Sequence, residues 1–215
     1  MAVVAAPFIV LVKPDWVPVV LSVTALPLSG INAWNQRRAL NYKNMAVPMV
    51  TRLIGTSCGA WVLVQMNIFW LQIAVAVSVL IAVAFTLRSV HFEATPHRLG
   101  WAGFLSGFMG TTTSIGGPPM AIVMQHGEPR TVRANLSLYF TYSCTISIIS
   151  YVVVGVMTWR LFLESVSFLP CVIIGFALGL RTRRIMDGGK YRPVLLGICT
   201  VAALLALAGA LWRLY

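Results

Sequence analysis

Charged side chains, and acidic ones above all, are scarce in this chain of 215 residues. Only 10% of its residues are charged and 59% are hydrophobic, whereas soluble domains carry about a quarter charged residues. So few charges do not cover a water-facing surface, which makes a soluble all-helical protein a poor alternative and predicts a polytopic membrane protein. Asp and Glu number 5 and are nearly absent from the apolar runs, which argues against a pathway for cations or metals.

Metal ligands and paired cysteines are sparse as well. The four cysteines lie in apolar runs without C-x-x-C spacing, and the three histidines flank those runs without a metal-ligand pattern. We interpret the cysteines as small buried apolar residues, although Cys58, beside Gly and Ser in GTSCGA, stays open. We therefore expect neither a metal nor a cofactor. The other cysteines and the histidines are Cys144, Cys171, Cys199, His91, His97 and His126.

Long apolar runs fill the chain between its polar punctuation. Because a membrane-spanning helix needs roughly 20 residues, six of these runs are predicted to span. Two runs are anomalous: Met1–Val12 is too short, and Leu99–Met124 is interrupted by polar residues, glycines and prolines. The six predicted spans are Trp16–Trp34, Met45–Met66, Phe69–Leu87, Val132–Met157, Leu161–Leu180 and Pro193–Trp212.

Basic residues are common, and they lie mainly in short loops between the apolar runs. Topology explains them better than nucleic-acid binding, since Lys and Arg gather in cytoplasmic loops. All basic clusters fall on one side only if Leu99–Met124 enters the membrane and returns to the same side. We therefore predict a re-entrant helical hairpin over 99–125, with arms Leu99–Gly110 and Ile115–Gln125 that are each about half a bilayer long.

The predicted spans divide the chain into two similar halves, residues 1–90 and 91–215. Each half is a hairpin arm or hairpin followed by three spans, and because three is odd the halves have opposite orientations in the membrane. The predicted fold is thus an all-α polytopic membrane protein built from two inverted repeats, typical of secondary transporters. In each half the second span has a proline followed by G-x-x-x-G, a pattern that lets helices pack closely: Pro48 with Gly55 and Gly59, and Pro170 with Gly175 and Gly179.

The interrupted run contains the sequence TTTSIGGPP, which does not form a continuous helix. Pro118 favours the first turn of a new helix, Ser114 is expected to cap that helix, and Gly116 and Gly117 allow a ligand to approach the backbone. The N-terminus of such a helix attracts anions, and Thr111–Thr113 add hydroxyl donors. The alternative is a kinked helix whose hydroxyl groups bond to their own backbone.

Arg52 lies within an otherwise apolar span, which makes it a candidate functional residue. It either complements an anion in the interior or extends to the cytoplasmic headgroups, and the sequence leaves both open. Asn135 lies in an unusually polar span that faces either a cavity or neighbouring helices. The predicted substrate-binding residues are Arg52, Thr111, Thr112, Thr113, Ser114, Gly116, Gly117, Pro118 and Asn135.

The segment GFLSGFMGTTTSIGGPPMAIVMQ resembles the second-repeat signature of the TauE/SafE sulfite exporter family, and the glycine-rich span, basic loop and apolar helix at the end resemble that family's C-terminus. The resemblance covers nearly the whole chain. It implies transport of sulfite, thiosulfate, organosulfonates or other small organic anions. It also implies a first hairpin arm and glycine-rich break upstream of Met1, so the first hairpin is truncated here, either because the chain starts late or because half of one site is lost.

These features predict a secondary transporter of a small anion working by alternating access, with export the favoured direction. The alternatives are a membrane assembly or anchor protein and, less favoured, an intramembrane enzyme, for which Ser114 has no nearby histidine in the break. We expect a multi-pass protein of the cytoplasmic (inner) membrane whose partners are the anion and the lipid bilayer, without nucleic acid. Self-association into a homo-oligomer stays open.

Overall fold

The computed structural model describes residues 16–42, 45–87, 95–186 and 191–212, together with residues 6, 9 and 13. Most of the short run Met1–Val12 and the basic residue Arg88 lie outside the described residues. Within them every regular element is a helix, which confirms the all-α prediction. The helices are α1 Val17–Asn35, α2 Ala46–Gln65, α3 Ile68–Leu87, α4 Pro96–Thr113, α5 Gly117–Met124, α6 Pro129–Val153, α7 Trp159–Ser167, α8 Leu169–Met186 and α9 Tyr191–Trp212, with a 3-10 turn at Arg37–Ala39.

Helices occur at each predicted span. Within the described residues four helical stretches are long and apolar enough to cross a membrane, and a shorter apolar stretch, Ile68–Ala84, lies in α3. Large apolar side chains such as Val50, Ile54 and Trp61 on α2 are exposed at the protein surface, as expected where lipid is the solvent. The four stretches are Val17–Asn35, Ala46–Gln65, Pro129–Val153 and Trp159–Ala177.

The predicted span Leu161–Leu180 is not one regular helix. It is divided at Phe168 into α7 and α8. Pro170 follows the division and has no N–H with which to continue the hydrogen-bond ladder to the carbonyl of Val166, and its ring crowds that same carbonyl. The proline therefore interrupts the ladder without ending the helical course of the chain.

The interrupted run folds back on itself at Ser114, whose φ of 59° lies in the left-handed region. A Cβ placed on Gly116 would lie 2.9 Å from the Cα of Gly110, so the chain after the break lies beside the helix it has just left. Met124, near the end of α5, belongs to the same core cluster as Leu99, near the start of α4. Helices α4 and α5 are thus antiparallel arms of a helical hairpin.

The two arms differ in length, and the expectation of two half-bilayer arms is wrong for the first. Helix α4 has 18 residues, or about 27 Å, whereas the 8 residues of α5 span about 12 Å. The first arm is longer because Thr95 caps it one turn earlier than predicted, accepting a hydrogen bond from the backbone N–H of Arg98, and because Thr111–Thr113 continue the helix.

Close packing between α2 and α4 forms the centre of the fold. Gly55 and Gly59 of α2 face the backbone of α4, and Gly103 and Gly107 of α4 face the backbone of α2. A Cβ on Gly107 would lie 2.5 Å from the carbonyl oxygen of Arg52, so side chains have no room between the helices. The prediction that the first G-x-x-x-G supports close packing is confirmed.

The second G-x-x-x-G has different surroundings. A Cβ added to Gly175 would meet no atom within 4 Å, and Gly179 lies outside the residues whose side chains are described. Elsewhere α1 packs on α6 and α3 packs on α9. Each of these two pairs joins helices at corresponding places in the two halves of the chain.

Candidate functional site

A cavity of about 380 Å³ lies between α1, α6, α8 and the break in the α4–α5 hairpin. It extends from the break towards Asn32 and Ser137, which lie close in sequence to the basic residues that follow α1 and begin α6. Its lining residues are Leu21, Ser22, Ala25, Leu28, Ser29, Asn32, Arg52, Gly110, Ser114, Ile115, Gly116, Gly117, Ser137, Phe140, Ser143, Cys144, Ser147 and Phe176.

Arg52 is the charged side chain at this cavity, and it is only 1% exposed. Its Nη1 donates to Ser106 Oγ at 2.9 Å, its Nη2 donates to Ser147 Oγ at 3.4 Å, and its Nε has no partner. The guanidinium carbon lies 5.5 Å from the centre of the Tyr139 ring. The side chain therefore points into the protein. Snorkelling would require it to extend to the surface.

No described carboxylate neutralises this buried guanidinium. The ion pair found among the described residues joins Arg160 and Glu164 at 3.1 Å, on the exposed start of α7. A buried charge without a counter-charge is unfavourable by several kcal/mol even when hydroxyl groups solvate it. Arg52, which lines the cavity, therefore supplies it with a positive charge that no described carboxylate neutralises.

Ser106 connects Arg52 to the helix break. Its hydroxyl oxygen accepts the hydrogen bond from Arg52 and donates its own hydrogen to the carbonyl of Gly116 at 2.5 Å. Gly116 is the N-cap of α5, so its carbonyl also accepts the first hydrogen bond within that helix. A single serine thus connects the start of α5 to one arm of the guanidinium.

Ser114 ends α4 instead of capping the next helix, and the expectation that it caps α5 is wrong. Gly116 is the N-cap of α5 and offers no side-chain cap. The left-handed backbone at Ser114 turns its hydroxyl towards α1, where it donates to the carbonyl of Pro18 at 2.8 Å. The hydroxyl also lies 3.3 Å from the carbonyl oxygen of Val17 and 3.4 Å from Ser22 Oγ.

The N-terminus of α5 faces the cavity through Gly116 and Gly117. Pro118 and Pro119 occupy the first turn, as predicted, and carry no N–H. Pro118 does not line the cavity. The N–H groups of Gly116 and Gly117 precede the first hydrogen bond within the helix, so this helix end offers a positive dipole with few hydrogen-bond donors.

The three threonines of the break are buried, and none of them lines the cavity. The hydroxyl groups of Thr112 and Thr113 donate to backbone carbonyls one turn earlier in α4, as the kinked-helix alternative expects. Thr111 lies closer to the site, because its Oγ1 is 3.4 Å from Ser147 Oγ and its carbonyl accepts from Tyr151.

Asn135 lies away from the cavity and ties α6 to the segment after α1. Its Nδ2 donates to the carbonyl of Asn41 at 3.1 Å, and its Oδ1 accepts from the N–H of the same residue at 3.0 Å. This pair of bonds is the helix-to-neighbour contact that the sequence offered as an alternative. The structure thus brings Arg52, Ser114, Gly116 and Gly117 together at the cavity.

Several serines at the site escape recognition from sequence alone. Ser143 and Ser147 are one turn apart on α6, and Ser22 and Ser29 are two turns apart on α1, so each pair lines the same face of its helix. That spacing is the sequence pattern that could have identified these four serines. No such pattern identifies Ser106, because a serine among glycines in a membrane helix usually bonds to its own backbone.

A second cavity, of about 690 Å³, lies at the other end of α1. Its walls include Lys13, Trp16, Pro18, Arg160 and Glu164. Lys13 Nζ lies 4.4 Å from the centre of the Trp16 ring. Because Pro18 lines this second cavity and Ser114 lines the first, the Ser114–Pro18 hydrogen bond lies between the two cavities.

These observations define an all-helical, multi-pass membrane protein with a cationic cavity at a broken helix. Comparison with known families gives the class a name: the model for the sulfite exporter TauE/SafE family matches residues 1–206, so the chain belongs to that family and is a membrane transporter. No curated protein and no solved structure matches the chain.

Proposed function

We propose that this protein is a secondary transporter that carries a small sulfite-type anion, such as sulfite, thiosulfate or an organosulfonate, and that it works as an exporter in the cytoplasmic membrane. The observation that carries the proposal is Arg52, a buried cation without a described counter-charge, beside a cavity at a helix break. Membership of the sulfite exporter family supports the choice of anion.

The anion supplies the charge that the site lacks. Moving its negative charge next to Arg52 offsets part of the several kcal/mol that an uncompensated buried cation costs. The α5 N-terminus adds its dipole, and Gly116 and Gly117 let the anion approach the backbone because no side chain covers them. Ser147, Ser143 and Ser114 provide hydroxyl donors that replace water around the anion.

Access to the site alternates between the two cavities. The first cavity extends towards the basic, cytoplasmic end of α1 and α6, and the Ser114–Pro18 hydrogen bond separates it from the second. An anion in the first cavity competes with the Pro18 carbonyl for the Ser114 hydroxyl. Binding of substrate therefore weakens the contact that keeps the second cavity separate, which links occupancy to opening.

Movement of one repeat against the other supplies the conformational change. We assign residues 1–90 and 91–215 to two inverted repeats and the α4–α5 hairpin to a re-entrant position in the membrane. The α1–α6 and α3–α9 pairs support this assignment, because helices beside a two-fold axis that relates the halves lie against their own counterparts.

Anion flux into proteoliposomes tests the proposal. The intact chain is expected to transport at least one of sulfite, thiosulfate and methanesulfonate. Arg52→Ala should lower transport efficiency roughly 10- to 100-fold, the effect of removing a charged hydrogen-bond donor. Arg52→Lys should retain part of the activity because it retains the charge.

Arg133→Gln serves as the matched control, since Arg133 is an exposed arginine on α6 whose side chain does not line the cavity. It should transport like the unaltered protein. Monodisperse gel-filtration profiles must accompany each variant so that misfolding is recognised. Flux of none of the three anions by the folded, unaltered chain would count against a transporter of this class, and unchanged flux in Arg52→Ala would remove Arg52 from the site.

A further inference from the structure

The cavity has two chemically different parts. At the break, Arg52, Gly116 and Gly117 form a cationic, backbone-lined end. The remaining wall has an apolar stretch formed by Leu21, Ala25, Leu28, Phe140 and Phe176, and polar side chains line the cavity beside it: Ser22, Ser29, Asn32, Ser137 and Ser143. The two parts are adjacent, because a Cβ placed on Gly117 would lie 3.6 Å from the ring of Phe140.

The cavity as a whole is too large to be filled by an inorganic anion. A three-oxygen anion takes roughly the volume of two water molecules, about 60 Å³, against a cavity of about 380 Å³. Water fills apolar space poorly because it finds few hydrogen-bond partners there. A ligand with an apolar portion fills the same space favourably.

The charge of the cavity restricts the ligand further. Among the described lining residues, Arg52 is the charged one, and no Lys, His, Asp or Glu accompanies it. A second negative charge on the ligand would lie against Leu21, Leu28 or Phe176 without a counter-charge, which is strongly unfavourable. The cavity therefore suits one negative charge at the break and an uncharged remainder.

We propose that the apolar wall is a tail subsite and that the preferred substrate is an amphipathic organic monoanion, with a sulfonate-type head at Arg52 and an alkyl tail against Phe140 and Phe176. This inference rests on the proposed transport function and specifies its substrate. Phe140 is a specificity-determining residue because its ring joins the head and tail parts of the cavity.

A homologous series of ligands tests the subsite. Methane-, ethane-, butane- and hexanesulfonate are titrated by calorimetry into the full chain in lipid nanodiscs, because detergents are themselves amphiphiles. Affinity should rise about fourfold for each methylene that becomes buried. 1-Butanol, which lacks the charge, and butane-1,4-disulfonate, which carries a second one, should both bind at least tenfold more weakly than butanesulfonate.

Alanine substitutions inside and outside the cavity distinguish a loss of tail recognition from a general loss of folding. Phe140→Ala should reduce the gain per methylene from about fourfold to less than twofold, because the truncated side chain no longer covers the tail. Phe162→Ala is the control, since Phe162 is half-buried to a similar degree but lies on α7, outside the cavity. It should preserve the full dependence on tail length.

The outcomes distinguish the subsite from the transport function. If affinity is flat across the series, or if sulfite binds as tightly as hexanesulfonate, the tail subsite is wrong while anion transport stands. If neither sulfite nor any sulfonate binds or is transported, the proposed function itself fails. Retention of the full methylene dependence in Phe140→Ala would overturn the assignment to Phe140.

Discussion

Helices α2 and α8 each carry two glycines four residues apart, yet the first glycine of each pair has opposite surroundings. Gly55 and Gly59 of α2 lie against the backbone of α4, where a Cβ on Gly55 would overlap the carbonyl oxygen of Phe104. Around Gly175 of α8 there is open space. Small residues permit two helices to approach, and it is a partner of matching shape that makes an interface.

The two helices also differ in charge. When they are aligned on Gly55 and Gly175, the position of Arg52 corresponds to Val172. The buried cation thus occurs on the helix that is packed most tightly, where a Cβ on Gly110 of α4 would lie 2.9 Å from its Nη2. Tight packing of the backbone holds a long, flexible side chain in one position, as a pre-organised binding site requires.

The largest expected effect is a difference in stability between alanine substitutions at Gly55 and at Gly175. Gly55→Ala forces α2 away from α4 and should destabilise the protein by about 3 kcal/mol or more, because rigid backbone opposes the added methyl group. Gly175→Ala meets open space and should be neutral or stabilise by up to about 1 kcal/mol, through the better helix propensity of alanine. Thermal unfolding in nanodiscs measures both.

Gly175→Ala also controls for changes in the unfolded state, since both substitutions replace glycine by alanine on a helix. A double variant tests whether the two sites are independent. Its stability should equal the sum of the two single effects, because the sites share no partner. Equal destabilisation at the two positions would show that Gly175 has a tightly packed partner and would end the comparison.

The helices and the break between them were predictable, because they depend on interactions that are local in the sequence. Membrane spans follow from length and hydrophobicity, and the break at TTTSIGGPP follows from the properties of proline and glycine. The division before Pro170 was missed because a proline in a membrane helix either kinks it or merely interrupts one hydrogen bond. The partner of each glycine pair was not predictable, because it depends on distant parts of the chain.

The second prediction concerns the charge on the packed helix. Arg52→Met keeps the length of the side chain but removes its charge, so stability should be unchanged or rise by roughly 1–4 kcal/mol. Anion flux should nevertheless fall roughly 10- to 100-fold, as in Arg52→Ala, because the cation that attracts the substrate is gone. Thermal unfolding and proteoliposome flux, measured on the same preparation, check the two halves of this prediction.

Val172→Met is the counterpart on the open helix and should change neither stability nor flux by a measurable amount. If Arg52→Met unfolds the protein while Val172→Met does not, Arg52 is a structural residue whose hydroxyl contacts hold α2 in place. Loss of flux without loss of stability supports a functional charge.

A smaller effect is expected at the serine that links the packed helices to the break. Ser106→Ala leaves one arm of the buried Arg52 without a partner and removes one of the hydrogen bonds to the Gly116 carbonyl, so it should cost about 1–3 kcal/mol. It should also raise the KM for the anion several-fold, because the guanidinium loses an anchor. Ser57→Ala on α2 is the control, since Ser57 is exposed and bonds to the carbonyl of Leu53 in its own helix.

Some of the cavity residues were predictable from the sequence and others were not, because the sequence does not specify the direction of a hydroxyl side chain. Arg52 and the glycines of the break were predictable, because a charge or a break inside a membrane needs a reason. The hydroxyl groups were not, since a threonine satisfied by its own helix and one that faces a ligand look the same in sequence. Ser114 was misjudged because its left-handed backbone depends on the reversal of the chain, which no local pattern specifies.

The smallest effect is expected at Thr112, within the packed α4 helix itself. Its hydroxyl donates to the carbonyl of Phe108 and does not line the cavity, so Thr112→Val, which keeps the shape, should change stability by less than about 1 kcal/mol. Anion flux should stay within twofold of that of the unaltered protein. Thr111→Val, one position earlier, removes the contact with Ser147 and should raise the KM more. A larger loss of flux in Thr112→Val than in Thr111→Val would mean that α4 rotates during transport and presents Thr112 to the anion in the other state.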